Sequence, residues 1–203
     1  MQLSAGDISG IVGRPAAIVE SNVSVDRYLE RGAVPQHEGG PDCVCNPARY
    51  AVLYLTGDSL PPIELPKEHP TMGQKDMMFV PSVLAVAVGT TVSFPNNDPF
   101  FHNVFSYSKT RRFDLGRYPK GKTADVTLDK PGIISVFCEI HFSMRAYIHV
   151  LPTPYFTVSD EKGAFRIPNV KPGDYTLHVW QENLPELQRP VSVTGETLVL
   201  DIR

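Results

Sequence analysis

The chain has 203 residues, of which 42% are hydrophobic and 20% charged, with a formal net charge of -3. That is apolar enough for a packed core, and the charge is too small to argue for nucleic acid, a membrane surface or a strongly basic partner. No run approaches the roughly 18 apolar residues of a membrane-spanning helix.

The first strand-like segment is Ile8 to Val12. The only helical candidate follows it, a turn or two over Asp26–Arg31 closed by Gly32. Tyr50 to Leu55 is again strand-like, and the Pro-rich, polar stretch Leu60 to Lys75 reads as a linker. Val83 to Val88 is apolar on both faces and ends at Gly89, and Thr91 to Phe94 stops at Pro95-Asn96-Asn97-Asp98-Pro99. Ala124 to Leu128 alternates and turns at Asp129-Lys130-Pro131-Gly132. Ile133 to Cys138 then puts Ile134, Val136 and Cys138 on one face. From Met144 to Val150, Met144, Ala146, Ile148 and Val150 share a face while Arg145, Tyr147 and His149 point the other way.

After Pro152-Thr153-Pro154, Tyr155 to Val158 and Ala164 to Ile167 read as a hairpin around Glu161-Lys162-Gly163. Pro172-Gly173 suits a type II turn into Tyr175 to Trp180. Strands near Val191–Val193 and Leu198–Ile202 finish the chain. Short β-branched and aromatic runs punctuated by Pro and Gly predict an all-β protein. The last fifty or so residues are short for a sandwich of their own. The expected organisation is therefore split: residues 1–66 and 152–203 form one sandwich around an inserted unit, 67–151. The alternative is two tandem domains, 1–151 and 152–203.

Chemistry concentrates in two stretches, Asn97 to Val104 and Cys138-Glu139-Ile140-His141-Phe142-Ser143-Met144. A site cycling between Cu(I) and Cu(II) needs a compromise of ligands. Soft thiolate and thioether favour Cu(I), imidazole serves both states, and two His, one Cys and a weak axial Met give a trigonal site. Cys138 ends a strand, the loop behind it presents His141, and the chain re-enters a strand at Met144. His102 reaches the same place from a separate upstream loop. Taken singly, a Cys or Met is usually core filler, but the full set at these spacings predicts one type 1 copper ion held by His102, Cys138, His141 and Met144.

Residues of about 74–151 resemble a cupredoxin of the plastocyanin and amicyanin kind. The resemblance rests on Phe79-Val80-Pro81-Ser82, the Gly89 turn, Phe94-x-Asn96-Asn97, His102-Asn103-Val104 and the Cys-x2-His-x2-Met loop. It implies a Greek-key β-sandwich in which His141 is the exposed ligand and Asn103 ties the two ligand loops together. It also implies an apolar docking surface of Phe100, Phe101 and Phe142, for which plain packing at the sandwich end is the competing account. Phe142 stands where amicyanin has proline. The remainder resembles the carboxypeptidase regulatory-like, transthyretin-type sandwich through Gly163-x-Phe165-x-Ile167 and Lys171-Pro172-Gly173-x-Tyr175-x-Leu177, with Gly10-Ile11-Val12 and Ala51 to Leu55 echoing its opening strands. The pairing resembles bacterial secreted proteins of the methylamine-utilisation and cupredoxin-like kind.

Cys43 and Cys45 admit three readings: a strained disulfide, two free thiols, or a second metal site with His37. They are not the Cys-x2-Cys-His of haem attachment. Met72, Met77 and Met78 read as scattered loop and strand methionines. His149 and His178 read as surface or interface residues, and Trp180 as packing between the two sandwiches. The expected function is single-electron carriage between redox partners such as a c-type cytochrome or a dehydrogenase, not catalysis, because six His without a His-x-His leave little for further copper centres. The alternative is a structural or copper-handling subunit of a larger extracytoplasmic assembly. The start, Met1–Asp7, lacks the regions of a signal peptide, and a periplasmic or extracellular mature form is expected.

Overall fold

A computed structural model describes residues 4–13 and 50–203. The helical turn expected over Asp26–Arg31, together with His37, Cys43 and Cys45, lies outside the described residues. Among those described the protein is all-β. In chain order the strands are β1 (Gly6–Val12), β2 (Ala51–Thr56), β3 (Gly73–Lys75), β4 (Met78–Val80), β5 (Val83–Ala87), β6 (Thr90–Pro95), β7 (His102–Tyr107) and β8 (Arg112–Tyr118). They continue as β9 (Thr123–Leu128), β10 (Gly132–Phe137), β11 (Arg145–Leu151), β12 (Phe156–Val158), β13 (Ala164–Val170), β14 (Gly173–Gln181), β15 (Leu187–Val193) and β16 (Leu198–Ile202).

Two sandwiches result. The first packs the sheet β13-β1-β16 on the sheet β12-β2-β14-β15. Its core holds Ile8, Leu53, Leu55, Ile167, Leu177 and Leu200 among others. Alternation generates it: in β14, Tyr175, Leu177 and Val179 are buried while the residues between them are not. Gly10 lets β16 run parallel beside β1, since a Cβ there would collide with the Leu200 carbonyl. The hairpin expected of Tyr155 to Val158 and Ala164 to Ile167 is not formed: β12 pairs with β2 in one sheet and β13 with β1 in the other. Gly163, at φ +84°, turns the chain between the layers where Asp160 accepts bonds from the Lys162 and Ala164 amides.

The second sandwich faces the sheet β5-β11-β10-β7-β8 against the pairs β3-β4 and β6-β9. Phe79, Phe94, Leu128, Ile134, Val136, Ile148 and Met72 fill it. Its start corrects the linker reading. Leu60 to Lys75 is not all connector, because Thr71 bridges Ser93, Met72 and Gln74 are fully buried, and Gly73–Lys75 is a strand. Two long strands escaped the sequence reading. In β7 the buried positions on either side of Val104 carry His102 and Ser106, which breaks the apolar alternation, and β8 is a largely exposed edge strand. His102 accordingly opens a strand and is not a loop residue. The type II turn at Pro172-Gly173 is also corrected. Gly173 lacks a positive φ and instead opens β14, opposite Val193, with the Tyr175 hydroxyl donating to the Lys171 carbonyl.

The two sandwiches meet through the outer faces of β11, β5, β2 and β14. Val52, Val83 and Leu151 are buried there, with Tyr54, Ala85, Phe156 and Trp180 packed around them. The Trp180 ring lies 4.2 Å from that of His149 and 5.4 Å from that of Tyr147. His149 is buried and its Nε2 has no partner among the described residues. Burial pushes this imidazole down to about 4, opposed by the Glu186 carboxylate. Folding thus favours the neutral ring. Its contribution is complete above the unfolded pKa of ~6.5 and is lost as pH falls toward the folded value of about 4. On lowering the pH from about 7.5 to about 5 this ring removes about 2 kcal/mol of stability. Urea unfolding of the metal-free chain at those two values, beside His149→Leu, measures it: the variant is expected to lose less, and an equal loss would clear His149 as the cause.

Candidate metal centre

Cys138 follows the last residue of β10, on the face that Ile134 and Val136 bury. Its side chain points into the second core at the end of the sandwich. The loop behind it bends back through a bond from the Met144 amide to the His141 carbonyl (3.0 Å). Met144 is buried in the same core as Cys138. His102, at the head of β7, enters from the neighbouring strand.

Three donor atoms converge. Cys138 Sγ lies 3.9 Å from His102 Nδ1 and 4.0 Å from His141 Nδ1, and the two Nδ1 atoms are 3.0 Å apart. The tautomer of His102 is determined by its far side. Nε2 stands 2.8 Å from Asp98 Oδ2, with both side chains buried. Burial alone would raise the Asp98 carboxyl, but bonds from the Met77 amide, His102 and the Asp76 amide together hold it below the ordinary carboxylate range. An ionised carboxylate only accepts, so Nε2 donates and Nδ1 turns a lone pair toward Cys138 and His141. Two imidazole nitrogens 3.0 Å apart need a proton or a cation between them. A first-row ion with bonds of about 2.0 Å to nitrogen and 2.3 Å to sulfur, lying in the plane of its donors, wants separations of roughly 3.5 to 3.7 Å. The observed spacing comes within about half an ångström of that demand, and the donor set fits a copper ion.

His141 is the most accessible of the three. Burial, and then the neighbouring His102, lower its pKa, while Asp98 opposes them. Asn103 joins the two ligand-bearing segments. Its Oδ1 accepts from the Glu139 amide (3.2 Å) and its Nδ2 donates to Asp114 Oδ1 (2.7 Å). On the β3 side, Gln74 donates to the Tyr118 hydroxyl at 2.6 Å, and that hydroxyl donates to the Phe94 carbonyl. Phe100, Phe101 and Phe142 are 52%, 56% and 75% exposed, so packing at the sandwich end does not account for them. The sequence reading missed Asp98 and Gln74. An acid shortly before a candidate ligand was the available signal for the first, and nothing marked the second.

Residues 69–151 match the model of the copper binding proteins, plastocyanin/azurin family. A plastocyanin from Ulva arasakii is 32% identical over 81 residues, covering 32% of this chain and 76% of the relative. The chain belongs to the plastocyanin/azurin family of copper-binding proteins. A copper-containing nitrite reductase from Thermus scotoductus is similar at 26% identity and a TM-score of 0.40, over 47% of this chain but only 25% of that one. A reduced amicyanin mutant is similar at 21% identity and a TM-score of 0.40, over 42% of this chain and 85% of the amicyanin. Residues 153–198 match the model of polysaccharide lyase family 4, domain II, a different description from the regulatory-like sandwich that their motifs resemble.

For this cupredoxin the Asp98–His102 pair is the contact to test. Asp98→Asn keeps the shape but removes the charge and lets an amide N–H face Nε2. Chelator competition is expected to read about tenfold weaker copper binding, in the range that outer-shell partners of ligating His contribute. Unchanged affinity would mean that His102 is oriented by packing alone.

Proposed function

We propose that the chain would hold one type 1 copper ion through His102 Nδ1, Cys138 Sγ, His141 Nδ1 and Met144, and that it carries single electrons between redox proteins. The convergence of Cys138 Sγ and the two Nδ1 atoms is the observation that carries this reading. Bound copper would supply the Cu(I)/Cu(II) couple. The protein's part is to keep both imidazoles and the thiolate in one arrangement for either state. Asp98 anchors one ring from behind, Asn103 ties the Cys138 loop to β7, and the apolar core around Cys138 excludes water.

The exposed Phe100 and Phe101, just before His102, and Phe142, just after His141, support a docking surface for a partner such as a c-type cytochrome or a dehydrogenase. Carriage rather than catalysis rests on the histidine economy of the sequence, six residues with no His-x-His. An extracytoplasmic setting fits a copper thiolate site. In the same reading residues 67–151 are an insertion between 1–66 and 152–203, supported by the pairing of β1 and β2 with β12, β13, β14 and β16. A second reading, a structural or copper-handling subunit of a larger assembly, draws on the extensive seam between the two sandwiches.

The purified chain with added Cu(II) is expected to show an intense sulfur-to-copper charge-transfer band that Cys138→Ala abolishes. A colourless wild type would remove the type 1 site. Phe142→Glu separates the two functional readings. It should leave the band unchanged while slowing electron exchange with a cytochrome several-fold, whereas an unaltered rate would take Phe142 out of any docking surface.

A further inference from the structure

We propose that Glu182, in the first sandwich, is a positioning residue for the copper loop of the second. The inference rests on the copper reading above. Glu182 follows β14, at the turn closed by the bond from the Leu184 amide to the Gln181 carbonyl. Its side chain is 3% exposed. Oε1 accepts from the Tyr147 hydroxyl at 2.9 Å and lies 3.3 Å from Arg145 Nη1. Arg145 is the residue immediately after Met144. Both partners stand on the face of β11 opposite Ala146 and Ile148, which pack in the core with Met144 and Cys138.

A buried carboxylate is an expensive way to hold two sheets together, and an apolar residue of similar volume often serves stability as well or better. Here the cost is raised further, because Oε2 is buried without a partner among the described residues. What the charge adds is registry. The Val52–Leu151 seam is apolar packing and the Trp180 contacts with Tyr147 and His149 are ring packing, and hydrophobic burial is non-directional. One directed hydrogen bond, from Tyr147, and one ion pair, with Arg145, by contrast tie the start of β11 to the end of β14 through a single carboxylate. Strand rise carries that constraint straight to Met144, one residue away. The other arm of the loop is held from within the cupredoxin sandwich, by the bond from the Glu139 amide to Asn103 Oδ1 and by the Arg117–Glu139 pair, whose side chains are 64% and 44% exposed and which therefore adds little. The C-terminal arm is thus the one held from outside the cupredoxin sandwich, and Glu182 holds it.

The test uses the full chain, metal-free and copper-loaded, as wild type, Glu182→Ala, Tyr147→Phe and Glu186→Ala. Glu186 is the control, a carboxylate of the same sandwich whose hydrogen bonds go to Tyr54, His178 and Gln188 and which reaches β11 only through its charge near His149. In the metal-free protein the readout is hydrogen exchange at the Met144 amide, which bonds to the His141 carbonyl within the loop. In the loaded protein it is the rate of Cu(I) transfer to a chelator together with the position of the charge-transfer band. Glu182→Ala is expected to raise both rates about tenfold and shift the band, consistent with the weight of outer-shell partners. Tyr147→Phe should act in the same direction and less, and Glu186→Ala should leave all three readouts at wild-type values. The inference is overturned if Glu182→Ala and Tyr147→Phe match wild type, or if Glu186→Ala moves the Met144 amide as much. If Glu182→Ala does not fold, Tyr147→Phe alone decides. A wild type that takes up no copper sinks the copper reading instead, and the exchange arm still decides whether Glu182 positions the loop.

Discussion

The buried carboxylate of Asp98 does three things at once. It satisfies the amides of Asp76 and Met77, which sit at positive φ in the tight turn between β3 and β4, and it receives Nε2 of His102. These bonds couple the turn of one layer to the first residue of β7 in the other. They also decide on which side of the imidazole the lone pair lies. Were the ring free to flip or change tautomer, Nδ1 could not be held 3.0 Å from its counterpart on His141, an approach that is unfavourable without a cation. The donor geometry is thus established by bonds on the far side of the ring from any metal.

Strand β11 extends the same logic across the molecule. Its period of two gives each face a different neighbour: Ala146, Ile148 and Val150 go to the copper-side core, and Tyr147, His149 and Leu151 to the first sandwich. A strand buried on both faces cannot shift by one residue without exchanging the two sets. The burial of neutral His149 against Trp180 and the half-satisfied Glu182 both follow from placing polar side chains on the second of those faces.

These two features also explain what could be read from residues alone. The Cys138–Met144 loop was legible because ligand chemistry and spacing coincide within seven residues. The alternation in β11 was legible because both faces carry unambiguous residue types. β7 was not, since polar His102 and Ser106 flank its one buried apolar residue, Val104, and the periodicity argument expects apolar residues at those positions too. β8 was missed for the opposite reason, being an exposed edge with Asp, Gly and Arg. Asp98 lay in a polar turn where an aspartate is ordinary, and its distinction is a partner that only the fold supplies. The connection of Leu60 to Lys75 looked like a linker because burial of Gln74 depends on Tyr118 and Phe94, both distant in sequence.

The contacts around the site divide by solvent exposure. Arg117–Glu139 and Arg111–Asp129 lie where water screens them, and pairs of that kind contribute little. Asp98–His102 is shielded on both sides, and in the Glu182 cluster the carboxylate is shielded while Arg145 is half exposed, so removing a partner from either buried carboxylate would be costly. Both act on a ligand candidate from outside the ligand set, one on His102 and one through Arg145 on Met144. A site held from both ends in this way has little room to rearrange when its charge changes. Low reorganisation is the property an electron carrier needs, and in this chain one of the two restraints comes from a sandwich that contributes no ligand.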